Sequence, residues 1–364
     1  MAIKFTNGFS VTPNNRSLYD FTTFTFTNVS VTGSNPPLLT QFLAAYTGSA
    51  TWTANSAYFT TQSGYLGYQV WTVPQTATYE IEVAGASSGR GTHAGLPVSG
   101  AFSSGSKMRA RFSLQQNQKL LIVVGQQSAN ASQVATYTGL GGGGGTFVVP
   151  SASNSSSIIP LIIAGGGGGI GAWSSALPVV SGSQIFGRTT TYGGNAAFFE
   201  IGGRNGTGGR SHISSSANPY DGGGGGGFAV GISGSGVSGL GVYNGPGSTN
   251  NGGGGKGFWT GSVGGGTSTS YPPPGTSTGG FGGGGGAGPI CGGGGGGYSG
   301  GAGSARATST LPDSGGGGGS YISSSGTNVA TADGLYDTLS TFSGSAITTI
   351  GYQSGSGYVK ITKL

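Results

Sequence analysis

Apolar and polar residues alternate most regularly over Thr78–Val83, where Tyr79, Ile81 and Val83 are interleaved with Thr78, Glu80 and Glu82. A period of two places the apolar set on one face of a pleated strand, so this segment predicts a half-exposed β-strand. Gln69–Pro74 leads into it through a turn. Lys107–Leu114 predicts a further strand, and Lys119–Val124 another. Leu120–Val124 is apolar at every position, the pattern of a central strand buried on both faces. Tyr358–Leu364 predicts the last strand, with Val359 and Ile361 inward. Asp20–Thr32 also reads as β-structure, but its phase slips at Asn28, which predicts a turn or bulge. One helix is predicted over Pro36–Tyr46, with Ser34 or Asn35 as cap and Gly48 as stop. Its apolar face is Leu38, Leu39, Phe42, Leu43 and Tyr46.

Beyond these elements the pattern changes character. Seven runs of four or more glycines occur: 141–145, 165–169, 222–227, 252–255, 282–286, 292–297 and 315–319. Glycine accounts for 84 of 364 residues, yet only five precede Gly85. Flexible linkers are diluted with polar residues. These runs instead abut apolar ones: Gly145 precedes Thr146–Val149, Leu161–Ala164 precedes Gly165, Gly227 precedes Phe228, and Phe281 precedes Gly282. Apolar anchors imply that the runs are stitched into a core. Pure glycine is a poor helix former and has no side chains for a pleated sheet. It can adopt the polyproline II helix, whose backbone groups all point outward and, if buried, must pair with neighbours. A bundle of such helices could stack beside a β-sheet as a matching layer. The sequence has no Gly-X-Y repeat, which excludes collagen.

Composition narrows the class. Charged residues are only 6% and aromatics 10%, unlike a charged disordered tail. The net charge of +6 is a mild cationic excess. Met1–Lys4 opens no signal peptide, and no segment reaches the length of a membrane span. A single cysteine, Cys291, excludes intramolecular disulfides and suits assembly in a reducing cytoplasm.

Several blocks resemble a known family. Gly67–Tyr79, with its Trp71-Thr72-Val73-Pro74, resembles the start of the glycine-rich extracellular domain of the anaplastic lymphoma kinase and leukocyte tyrosine kinase receptors. The resemblance continues through Gln118–Gln127, Gly141–Val149, Pro160–Gly169 and Gly279–Tyr298, and ends at Gly357–Ile361, so it spans most of the chain in order. It implies a tumour-necrosis-factor-like β-sandwich carrying polyglycine II helices. The receptors' transmembrane helix, kinase domain and disulfide cysteines have no counterpart here, so their signalling role is not carried over. Glycine-rich adhesins of T-even-type phages also use polyglycine helices, and Met1–Asn7 resembles the starts of marine phage virion proteins.

Nucleotide-binding motifs are weak. Gly234–Gly239 fits a dinucleotide spacing but follows no clear strand. Gly252–Lys256 lacks the first glycine and the Ser/Thr of a phosphate loop. Catalysis finds little support: His93 and His212 are isolated, and Cys291 has no partner for a metal motif. Glu80 and Glu82 share a face and read as a solvated edge. No cofactor or metal is expected. Lys107, Arg109 and Arg111 put three cations on one strand face, either a solubilising face or a contact with an anionic surface. There is no RGG repeat, and the basic residues are not interleaved with stacking aromatics, so nucleic acid is not expected. Between the glycine runs, Tyr220, Phe258, Trp259 and Tyr271 sit in turn-rich segments. They suit sugar faces or protein anchors, and equally the capping of the glycine layer.

The expectation is therefore an all-β protein: a tumour-necrosis-factor-like sandwich (23–140 plus 340–364) with a polyglycine II bundle and loops (141–339) and one short α-helix. Residues 1–22 would be an attachment segment. The expected role is non-enzymatic, a phage fibre, adhesin or head decoration on the virion surface, assembled in the host cytoplasm. Expected partners are other virion proteins, a host-surface glycan or outer-membrane component, and further copies of the chain, as in a trimer. A bacterial cell-surface or exported glycine-rich domain is the alternative.

Overall fold

The alternation over residues 78–83 does produce a strand with one buried face. In the computed structural model Tyr79, Ile81 and Val83 are fully buried, while Thr78, Glu80 and Glu82 lie outward. The structure describes residues 16–93, 96–97, 102–132, 137–151, 158–173, 184–196, 200–211, 220–229, 251–268, 276–305, 313–332 and 354–364.

Two large antiparallel sheets dominate; their strands are numbered in chain order. They are β1 (Thr23–Phe26), β2 (Phe59–Thr61), β3 (Gln69–Thr72), β4 (Ala77–Ala84), β5 (Lys107–Leu114) and β6 (Lys119–Val123). There follow β7 (Thr146–Pro150), β8 (Ile162–Ala164), β9 (Tyr321–Ile322), β10 (Thr327–Ala332) and β11 (Tyr358–Lys363). The five-stranded sheet runs β1-β11-β4-β5-β10, and the six-stranded sheet β9-β8-β7-β6-β3-β2. The main core lies between them. It joins Phe26, Tyr79, Ile81, Phe112 and Ile361 of the first sheet to Trp71, Leu120, Ile122, Val148 and Ile162 of the second.

The six-stranded sheet is buried on its other face as well. Val70, Leu121, Val123, Phe147, Val149 and Ile163 pack there against Phe228, Phe258 and Phe281. Double burial is why β6 reads as an unbroken apolar run. Strands β7 to β10 come from the 141–339 region, so the sheets recruit residues that the sequence assigns to the glycine bundle.

The helix is α1 (Leu39–Tyr46), with Phe42 and Tyr46 buried. It begins later than expected: Asn35 and Pro36 each precede a proline, which disfavours the α conformation, and Leu38 at the cap is extended. The caps expected at Ser34 or Asn35 are replaced by Leu38, whose amide donates to the Gln41 side chain at 2.8 Å. Leu38, expected on the apolar face, is exposed. Past β1, Val29 and Ser30 take positive φ, the turn expected at the Asn28 slip. Residues 16–22 belong to the sandwich: the Leu18 amide bonds the Pro74 carbonyl at 2.9 Å, and Phe21 is core. Residues 1–15 of the expected attachment segment lie outside the described residues.

Six of the seven long glycine runs are fully buried throughout; in run 252–255, Gly253 and Gly254 are half-exposed, and Gly282 and Gly283 have positive φ. The runs are neither α-helix nor strand. Two continue strands directly: β8 passes into Gly165, and Gly145 into β7. The glycine region therefore continues from the strand ends, and its anchors Phe228, Phe258 and Phe281 pack on the outer face of the six-stranded sheet.

Candidate functional site

The hydrogen bonds of run 292–297 set the geometry of this region. Gly292 and Gly295 donate to Asp313 and Gly316, Gly293 and Gly296 to Leu140 and Gly143, and Gly294 and Gly297 to Gly223 and Gly226. Every third amide thus addresses the same neighbouring segment. The run also accepts bonds from three further segments. Gly166 and Gly169 donate to Gly296 and Gly293, Gly301 and Ser304 to Gly295 and Gly292, and Gly285 to Gly294. One glycine run is hydrogen-bonded to six neighbouring segments, and all six of its buried amides are paired with backbone carbonyls.

The contact leaves no room for a Cβ. A methyl group on Gly294 would fall on the Gly301 carbonyl, and one on Gly224 on that of Gly209. These runs hold no catalytic or ligating groups; their chemistry is confined to edges and connections. Cys291 is fully buried among them, as expected of a small apolar side chain.

Of the aromatic candidates, Phe258 is not a displayed residue. It is 1% exposed and packs against Tyr68, Phe147 and Phe228 with ring centroids 5.0–5.2 Å apart. The expectation that it projects from a recognition loop is corrected: it staples the glycine region to the six-stranded sheet. The Tyr68 hydroxyl bonds the Phe258 carbonyl and the Ser262 hydroxyl, and burial raises its pKa. Phe258 follows a glycine run much as Phe228 does, and that shared position is the sequence signal of an anchor. Trp259 is half-buried at the same junction, edge-on to Phe258 at 4.9 Å, with Tyr65 donating to its carbonyl at 3.3 Å. Tyr220 is half-buried at the start of run 222–227. Tyr271 lies outside the described residues, as do His212 and Gly234–Gly239.

The cationic face is also organised differently. Register places Glu80 opposite Arg111 and Glu82 opposite Arg109. Arg111 Nε donates to Glu80 at 3.0 Å, and Arg109 lies 3.7 Å from Glu80 and 3.9 Å from Glu82. Lys107 is buried at 8% exposure. β4 is the middle strand of its sheet, so Glu80 and Glu82 are not at an edge. Their acids meet the β5 arginines across strands, and this leaves less free positive charge for an anionic surface than the sequence suggests. Tyr358 donates to Glu82 at 2.5 Å; burial, then the nearby carboxylate, raises its pKa.

Among the described residues no cluster of His, Cys, Asp or Glu could hold a metal, and no helix is long and apolar enough to cross a membrane. No family model and no curated protein matches the chain.

Proposed function

We propose that the chain is a phage virion structural protein, a surface-exposed fibre, adhesin or head decoration that acts by shape and display rather than by catalysis. In this reading the two sheets form a tumour-necrosis-factor-like sandwich, and the glycine runs are polyglycine II helices. The observation that carries it is the threefold recurrence of donors along run 292–297. A helix of about three residues per turn, with all its bonds directed outward, gives that recurrence. A hydrogen-bonded array without side chains is suited to a durable slab, and offers none of the groups that reactions need.

Display then falls to the connections between runs, with Trp259, Tyr220 and Tyr271 as the aromatic candidates, and host-surface glycan or outer-membrane component as the partner. Other virion subunits and further copies of the chain, as in a homotrimer, would complete the assembly. Gold labelling of purified particles, with antibody against the recombinant chain, tests the reading. Label at fibre tips supports an adhesin, and label over the head supports a decoration protein. Particles without label would remove the virion assignment.

A further inference from the structure

An open cleft of about 340 Å3 lies at the opposite kind of surface, on the sandwich, between residues 20–24 and 48–52. Its position follows from the fold. β1 is an edge strand of the five-stranded sheet, and 48–52 is the turn that leaves α1 for a short 3-10 segment, Thr51–Ala54. The apolar part of the wall includes Phe24 and Trp52, with ring centroids 5.1 Å apart, beside the buried Phe21 and Ala50. Trp52 is held in place by Tyr19, which stacks on it at 5.0 Å. The polar part is Asp20, Thr22, Ser49 and Thr51, all exposed.

Three of these polar side chains, Asp20, Thr22 and Thr51, make no side-chain hydrogen bond or ion pair among the described residues. No cation lines the cleft. Aromatic carbon, a carboxylate acceptor and hydroxyls that both donate and accept match a ligand with a C–H-rich ring and several hydroxyls. The lone carboxylate disfavours phosphorylated or carboxylated sugars. The volume is near the lower end of the roughly 300–1,000 Å3 typical of small-molecule sites, room for one or two rings and no more.

We propose that this cleft binds a neutral pyranose unit, with Asp20 accepting from ring hydroxyls and Trp52 and Phe24 meeting the C–H face. The inference extends the host-surface reading above to a site on the sandwich, and depends on that reading only for its biological setting. The experiment is saturation-transfer NMR on the isolated full chain. The probes are the methyl glycosides of glucose, galactose, mannose and N-acetylglucosamine, with methyl glucuronide as the charged comparison. The expected result is transfer to at least one neutral glycoside, with a Kd of order 1 mM, as suits so small a ligand. Asp20→Ala, at an exposed position, should weaken it at least tenfold while leaving the thermal melt unchanged. Trp52→Phe should weaken it less, because the aromatic wall is kept. Absence of transfer to every neutral glycoside, equal binding by Asp20→Ala, or equal binding of the glucuronide would overturn the proposal. None of these outcomes depends on where the protein sits on a particle, so failure here is distinct from failure of the virion assignment.

Discussion

Gly294 donates its amide to the carbonyl of Gly223 at 2.8 Å, joining two distant stretches of chain with no side chain between them. The same residue sits where a Cβ would collide with the Gly301 backbone. Backbone cannot move aside as the end of a flexible side chain can. Gly294→Val and Gly224→Val should therefore abolish soluble folding. Gly266→Ala and Gly48→Ala, where a methyl group meets nothing within 4 Å, should leave yield and melting temperature close to the parent. Expression yield with thermal melts checks both halves, and a soluble, protease-resistant Gly294→Val protein would refute the close-packed array.

Phe258 and Trp259 are neighbours with unequal tasks. Phe258→Ala removes a fully buried ring and should destabilise the protein by about 3–5 kcal/mol. Trp259→Phe should be nearly neutral, since its indole N–H has no acceptor among the described residues. Urea unfolding of the two variants measures the contrast.

The arginines of β5 should also separate. Arg109 is 11% exposed between two carboxylates, whereas Arg111 is 36% exposed. Arg109→Met should reduce stability by about 1–3 kcal/mol. Arg111→Met should lose under about 1 kcal/mol, because solvent screens its pair. Denaturant titrations at low and high salt would reveal the ordering, and equal losses would contradict it.

Alkaline stability follows from the tyrosines. Burial raises the Tyr79 hydroxyl from 10.0 to about 12, and the hydroxyls of Tyr68 and Tyr358 also shift upward. An unfolded chain loses these protons near pH 10 while the folded chain keeps them. Above that point the unfolded state binds fewer protons, so stability falls as pH rises. For these tyrosines the contribution is complete below pH 10 and declines from pH 10 upward, through about 12 for Tyr79. Circular dichroism against pH should show the onset of loss in that window, and a tyrosine-dependent transition near neutrality would contradict the assignment.

Much of the sandwich was legible because its strands carry their environment in their pattern. The alternation of β4 and the unbroken apolar run of β6 each matched their burial. β10 was not legible: Thr327–Ala332 is small and polar, and it becomes a strand through pairing with β5 rather than through its own apolar period. The charges on β5 misled because their partners stand on another strand, and register is not written in a local window. Phe258 misled for a related reason. A turn-rich neighbourhood suggests surface, but the glycine segments around it are interior.

The glycine runs hold one more consequence. A run of identical residues without side chains has no internal mark of register; shifted by one, it presents the same atoms. Its alignment must come from where its ends are pinned, at Phe147, Ile163, Phe228 and Phe281. In the folded protein the aromatic pins on the six-stranded sheet therefore carry the alignment that the glycine runs themselves cannot encode.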